Sequence, residues 1–533
     1  MALIEVFFLL TIIGALLYKW TVSGFDYFSK RGVAHLPPKP LVGNVPLSVL
    51  MGSGSYLRHS IELHQQLKQH KIYGVYNLSE PLYYLADAEL IRQVGIKHFD
   101  NFTNHRQGIT DDSATGNRSV MSKSLLSLRD QRWKQMRHTL TPTFTGAKIR
   151  LMFELIHACN VEAVQYVERQ LQEKNRVGVE LELKEFFKRY TNDVIATAAF
   201  GIQVNSFVDQ QNEFFTLGQR VSQFSFWGGL KILLFILLPR LMKALRVPPM
   251  DMDNVAYFKR LVFGAMQERR EQKIVRPDMI QQLMEAQRQF KEQQEKQKEG
   301  EGDGEEQPTN GAEFNDEDLL AQCLLFFSAG FETVSTCLSF TTHELLMNPR
   351  VQQTLYEEIL EVEQRLGGKP LDYDSLMGMK YLDCVISESL RKWPPAIVID
   401  RLCSNDFELR DEAGELLLKL RKDELVHIPI VALHYDPDNF EEPEEFRPER
   451  FDDEHKHELR PFTYLPFGIG QRSCIGNRLA LMEVKSLIYQ LVLRFHLLPA
   501  ERTTQDMMGS ITGFRMEPRE MFWCRFEPRP IAD

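Results

Sequence analysis

Apolar and polar positions alternate differently in three parts of the chain. Residues 2–18 read ALIEVFFLLTIIGALLY and are apolar except for Glu5 and Thr11. As a helix this run spans about 25 Å, slightly short of a bilayer core of about 30 Å. Tyr18 and Trp20 extend it as interfacial anchors, with Glu5 near the opposite headgroups. No basic residue precedes the run, Lys19, Lys30 and Arg31 follow it, and no small-x-small cleavage site comes after it. The pattern predicts an uncleaved transmembrane signal-anchor over residues 1–20, with the bulk of the chain on the cytosolic side. A cleaved signal peptide is the alternative, and a mitochondrial transit peptide would be Arg-rich. Residues 21–45 read as a linker with a proline-rich hinge, Leu36-Pro37-Pro38-Lys39-Pro40, acting as a semi-rigid spacer. Asn77, Asn101 and Asn117 each begin an N-x-S/T sequon, which on a cytosolic body stays unglycosylated.

Beyond the linker, strand-like alternation marks Gly74–Asn77 and Leu82–Leu85, and helical spacing dominates from about Asp130. The expectation is a mainly α body with a smaller β region. Residues 290–313, FKEQQEKQKEGEGDGEEQPTNGAE, are nearly devoid of apolar side chains and predict a flexible acidic surface loop. Residues 224–238, FSFWGGLKILLFILL, read as a core helix or as an apolar patch dipping into a membrane. From Asn315 to about Asn348 runs a helix that is apolar nearly all round and so passes through a core. Asn315 is its N-cap, with Asp318 at N3.

Composition narrows the classes. The net charge of −10 offers no overall basic field for nucleic acid. The seven cysteines are odd in number and form no CxxC, which argues against a disulfide framework or a thiolate zinc cluster.

Four constellations carry candidate chemistry. In the middle of the apolar helix lies Ala329-Gly330-Phe331-Glu332-Thr333. The Thr333 hydroxyl can bond back to the carbonyl of residue 329, opening a polar notch with room on the Gly330 side for dioxygen and waters; a kink without a ligand would look the same. Glu388 and Arg391 are an i,i+3 pair that Arg450 can complete, although each charge could equally be solvated. Trp133 and Arg137, i and i+4, can grip a carboxylate or simply stack. Finally, Phe467-Gly468-Ile469-Gly470-Gln471-Arg472-Ser473-Cys474-Ile475-Gly476 places one cysteine in a glycine loop just before a helix that reaches about Leu498. A helix N-terminus favours a thiolate, hence a metal ligand or a nucleophile, and no base lies in the loop. One protein thiolate suits a haem iron, and Arg472 could reach a propionate.

Taken in order, AGFET at 329–333, ESLR at 388–391, FRPERF at 446–451 and FGIGQRSCIG at 467–476 resemble the cytochrome P450 family. WKQMR at 133–137 resembles the family's propionate-binding helix, and the anchor with PPKP resembles its microsomal branch. RPDMIQQLMEA at 276–286 and FSAGFETVST at 327–336 are similar to the animal and insect xenobiotic-metabolising group. The resemblance implies the cytochrome P450 fold, with one large catalytic domain over residues 46–533 behind the anchor. It implies haem b with Cys474 as axial thiolate, propionates held by Trp133, Arg137, Arg401 and Arg472, and Phe467 and Gly476 at the cofactor. Thr333 and Glu332 would deliver protons, and Glu388, Arg391 and Arg450 would form a structural cluster. Ala329, Ala396, Ile397 and Val398 would face substrate, with 102–125, 205–235 and 507–514 shaping the entrance. Implied partners are NADPH-cytochrome P450 reductase, docked on Arg129, Arg132 and Lys134, together with cytochrome b5, membrane lipid and a small lipophilic substrate. The implied activity is monooxygenation at the endoplasmic reticulum membrane. A haem-thiolate isomerase or dehydratase and a non-catalytic haem sensor are the rivals.

Overall fold

The computed structural model describes residues 2–106, 120–173, 177–222, 242, 245, 252–300, 314–514 and 516–530. The predicted stretch at 224–238, Asn117 and the entrance residues 107–119 and 223–235 lie outside them. Among the described residues the strands are β1 (Ile72–Asn77), β2 (Glu80–Leu85), β3 (Val179–Glu182), β4 (Ile399–Leu402), β5 (Phe407–Arg410), β6 (Leu416–Leu420), β7 (Leu425–Ile428), β8 (Phe495–Pro499) and β9 (Trp523–Pro528). Most of the remaining structure is helical, as the spacing predicts.

The N-terminal helix runs from Ala2 to Val22, 21 residues. That is about 31 Å, so the residues after Tyr18 supply the length the apolar run lacked. Its hydroxyls are bonded within the helix, Thr11 to the Phe7 carbonyl (2.8 Å) and Thr21 to that of Tyr18 (2.9 Å).

Two compact units account for the chain. One comprises residues 1–106, 387–474 and 502–521, the other residues 107–386, 475–501 and 522–533. Each draws on three separate stretches, so the catalytic body has no contiguous internal boundary.

The first unit is built on a four-stranded sheet of order β1-β2-β7-β4. The β1–β2 and β7–β4 pairs are antiparallel and the β2–β7 pair is parallel. The alternation seen at 74–77 and 82–85 is this hairpin. The part of the linker before the proline-rich hinge packs on this sheet. Phe28 is fully buried in the core with Tyr76, Tyr83 and Leu85. Tyr27 donates to Glu424 at 2.5 Å, and Arg31 bonds both Glu424 and the Tyr83 hydroxyl. Backbone bridges join His35 to Gly74 and Gly43 to Asn77. The aromatic residues Phe25, Tyr27 and Phe28 carry enough apolar surface to pull the segment onto the sheet, making residues 25–35 a packed bracket, while Pro37, Lys39, Pro40 and Leu41 stay exposed.

The second unit is organised around the helix Asp316–Met347. Asn315 accepts from the Asp318 N–H while Asp318 accepts from the Asn315 N–H, a complete capping box. From Val334 to Leu346 every residue is buried, which identifies the helix as a core element. A three-stranded sheet of order β3-β9-β8 lies in the same unit. Two expectations are corrected here. The helix Met279–Gly300 covers the first part of the predicted acidic loop. Glu, Gln and Lys are strong helix formers, and an Arg288–Glu292 pair at i,i+4 supports the run. Residues 301–313 lie outside the described residues. The helix after the glycine loop, Asn477–Arg494, ends short of Leu498, because residues 495–499 pair with β9 instead.

Candidate functional site

In the first unit the glycine loop is shaped by backbone geometry that L side chains resist. Gly468 and Gly470 adopt φ of 76° and 68°. A Cβ at Gly470 would overlap the Gly95 carbonyl oxygen, and one at Gly95 would strike the Ile469 side chain. These contacts press the loop against Gln93–Lys97. The Cys474 N–H donates to the Phe467 carbonyl at 2.8 Å, closing the turn. Six of the seven cysteines are buried and Cys474 is exposed, with none in a disulfide. Burial raises the thiol pKa of Cys159, Cys323, Cys337, Cys403 and Cys524, which keeps them protonated.

Arg401 on β4 is 1% exposed. It donates to the carbonyls of Asp400 (2.7 Å) and Ile469 (3.2 Å), and its buried Nε has no hydrogen-bond partner. Burial pushes its pKa down to about 10. A buried guanidinium with a spare N–H, bonded through the Ile469 carbonyl to the loop that carries the exposed thiol, is an arrangement a carboxylate-bearing flat cofactor would satisfy. Arg472 donates through Nε to the Thr103 carbonyl at 2.8 Å. The donor set therefore fits a haem: one accessible cysteine sulfur, arginines for propionates, and a loop in which Gly468 and Gly470 leave out side chains.

Behind the loop, Glu388 is fully buried and accepts a bidentate fork from Arg391 (Nη2 2.7 Å, Nε 3.0 Å). Arg450 Nε at 3.4 Å and the Arg447 N–H at 3.0 Å complete it. Arg391 also donates to the carbonyls of Pro443 (2.5 Å) and Glu445 (3.0 Å), so the cluster fixes the loop that carries FRPERF. Of the predicted substrate-facing residues in this unit, Ile397 is buried, while Ala396 and Val398 are half-buried against the two apolar clusters of the sheet.

In the second unit, the Thr333 hydroxyl donates to the Ala329 carbonyl at 2.6 Å, as the sequence predicts. Ala329 and Thr333 are exposed on a helix whose other faces are packed. The open side of the notch is theirs. The Gly330 side, expected to have room, is closed, since a Cβ there would stand 3.3 Å from Ile195. Glycine here admits a neighbouring helix, not a ligand. Glu332 pairs with Lys184 Nζ at 2.9 Å and Lys188 Nζ at 3.7 Å. Lys184, itself buried, also bonds the hydroxyls of Ser335 (3.2 Å) and Thr336 (2.5 Å). Sequence reasoning missed both lysines. Their i,i+4 spacing on the helix Leu183–Ile195 reads as a solvated stripe, and only tertiary packing brings them to Glu332.

Trp133, almost fully buried, and Arg137 stand on one helix, Asp130–Leu140. Arg132, expected on a docking face, is bonded to the buried Asp318 at 3.0 Å. Gly476 is the N-cap of the helix Asn477–Arg494, and its Cα side approaches Phe144, which in turn stacks edge-on with Phe326.

Comparison with known proteins adds to this geometry. The family described as Cytochrome P450 matches residues 34–525. Among curated relatives, cytochrome P450 9c1 of Drosophila melanogaster is 69% identical over 532 residues, covering 100% of both chains. The probable cytochrome P450 9h1 of the same fly is 50% identical over 98% of each chain. Its cytochrome P450 9b2 is 42% identical over 99% of this chain and 100% of that one.

Proposed function

The chain belongs to the cytochrome P450 family, and on that premise we propose that it is a membrane-anchored monooxygenase that inserts one oxygen atom of O₂ into a lipophilic substrate of xenobiotic, steroid, ecdysteroid, fatty-acid or terpenoid type. Members of the family carry haem iron ligated by a thiolate and receive electrons from a redox partner. Haem, when bound, supplies the reducible iron at which dioxygen is activated.

The residues of this chain divide the remaining work. Cys474 provides the thiolate; its exposure, unique among the seven cysteines, is the observation that carries the reading. Arg401, with its unbonded Nε, would hold one propionate, and Arg472, Arg137 and Trp133 would hold the propionates with it. Phe467 and Gly476 would lie at the cofactor. The Thr333 hydroxyl, whose proton rests on the Ala329 carbonyl at 2.6 Å, offers its oxygen lone pairs at the open notch and would turn its own proton outward as it accepts another there. Glu332 would pass protons to it from water, and Lys184 with Lys188 keeps that carboxylate oriented. Ala329 faces substrate, as do the open sides of Ala396 and Val398, with Ile397 behind them.

The helix Ala2–Val22 anchors the protein in the endoplasmic reticulum membrane, with the catalytic body in the cytosol, where NADPH-cytochrome P450 reductase and cytochrome b5 reach it. A length of about 31 Å supports this placement. The test is NADPH consumption by the reductase-supplemented holoenzyme across steroids, fatty acids, terpenoids and plant toxins. Stimulation by one class, matched by an oxygenated product, is the expected result. Turnover that needs neither NADPH nor O₂ would assign an isomerase or dehydratase instead.

A further inference from the structure

We propose that His434 is a positioning residue: it clips the last turn of the helix Lys380–Lys392 to the residue that opens the thiolate loop, and so sets where Cys474 stands. The imidazole is fully buried. Its Nδ1 lies 2.9 Å from the Arg391 carbonyl oxygen, and its Nε2 lies 2.9 Å from the Leu465 backbone nitrogen. A carbonyl only accepts and a backbone amide only donates, so the two partners fix the tautomer. Nδ1 carries the proton and Nε2 offers its lone pair. An imidazolium would point a second N–H at the Leu465 N–H. Burial and the neighbouring Arg391 guanidinium agree with the neutral ring, holding its pKa down near 3.

Each end of this clip answers a local need. The Arg391 carbonyl belongs to the final turn of its helix, where carbonyls lack intrahelical partners. Arg391 returns a bond from Nη1 to the His434 carbonyl at 3.3 Å. Tyr464 stacks on the imidazole, with ring centres 5.6 Å apart and planes 25° apart, and its hydroxyl donates to the Ser387 carbonyl at 3.0 Å. Two consecutive residues, Tyr464 and Leu465, are thus pinned to the same helix end. From there the Gly468 N–H bonds the Leu465 carbonyl at 3.0 Å, and the Cys474 N–H bonds the Phe467 carbonyl at 2.8 Å. A continuous bonded path therefore runs from Glu388 through Arg391, His434 and Leu465 into the loop that carries the thiol. The charge cluster behind the loop acts on Cys474 through this imidazole, and no other side chain bonds the Leu465 N–H among the described residues.

Two variants separate the two bonds. In His434→Asn the amide nitrogen can still donate to the Arg391 carbonyl but falls short of Leu465. In His434→Gln the longer side chain carries its oxygen to the Leu465 N–H. Each holoenzyme is measured by the fraction of its reduced carbonyl complex that shows the thiolate-type red-shifted Soret band, and by hydrogen exchange of the segment containing Leu465. Expected for His434→Asn are at least tenfold faster exchange at Leu465 and a thiolate fraction below half that of the parent. His434→Gln should keep most of both. Parent-like exchange and thiolate fraction in His434→Asn overturn the proposal, as does equal loss in the two variants. Should either variant fail to fold, nitrogen-15 spectra of histidine-labelled parent holoenzyme give an independent answer. A neutral ring protonated at Nδ1 is required, and an Nε2-protonated ring or an imidazolium refutes the clip.

Discussion

Removing Glu388 is the sharpest test of how the loop is held. The carboxylate is fully buried and accepts from Arg391 twice, from Arg450 and from the Arg447 backbone. Glu388→Ala leaves two buried guanidiniums without their counter-charge, and breaking a buried ion pair costs about 3–5 kcal/mol. Arg391 retains three backbone carbonyls, those of His434, Pro443 and Glu445, which keeps the loss within that range. Glu388→Gln preserves shape and one acceptor, so it should lose about 1.5–3 kcal/mol, the worth of a hydrogen bond to a charged group. The assay is urea unfolding of the holoenzyme followed by the Soret band. With a slope of about 3 kcal/mol per molar, the alanine midpoint falls by about 1–1.7 M, and the glutamine midpoint lies between alanine and parent. An alanine variant within about 0.3 M of the parent, still holding haem, would refute the buried-pair account.

Three further outcomes follow from geometry already described. Gly470→Ala pays about 1–2 kcal/mol for its left-handed backbone and more for the overlap with the Gly95 carbonyl, whereas Gly468→Ala, whose nearest atoms stand at 3.8 Å, loses the first part alone; haem-retention midpoints should rank parent, Gly468→Ala, Gly470→Ala. Thr333→Ala should keep its haem spectrum while most consumed reducing equivalents appear as hydrogen peroxide, and unchanged coupling of NADPH to product would remove the hydroxyl from proton delivery. Glu483 is buried with an unbonded oxygen and its pKa is raised to about 8. The folded state then holds this proton more tightly than the unfolded one, so its contribution to stability is present below pH about 4.5 and lost as pH rises through about 8; Glu483→Gln should match the parent's melting temperature near pH 5 and exceed it at pH 8.

The residues legible in the sequence are those whose chemistry is local. Asn315 and Asp318 cap each other three residues apart, the Thr333 hydroxyl bonds its own helix, and the glycine loop surrounds Cys474, so short-range spacing suffices for all three. The Glu388–Arg391 pair was visible, but not the helix-end carbonyls and imidazole that tie it to the loop. Lys184 and His434 were hidden for a common reason. Each lies far along the chain from what it holds, and a lone lysine or histidine has no periodicity of its own. The acidic run at 290–300 misled because charge density argues for a loop while Glu, Gln and Lys argue for a helix, and local propensity won where the chain continued an existing helix. The Gly330 side misled because a small residue signals space without saying which neighbour takes it.

The bracket formed by residues 25–35 bears on how this enzyme meets other proteins. A flexible tether would let the body swing through many tilts, and each encounter with a redox partner would first have to find an angle. Here the helix Ala2–Val22 is followed within six residues by Phe28 locked in the sheet core and by Arg31 bound to Glu424. With that helix in a bilayer, tilt is largely decided in advance. Were its redox partner held in the same bilayer, collisions would become a search over position in a plane, governed by how many partners share each patch of membrane and not by how often they happen to face one another.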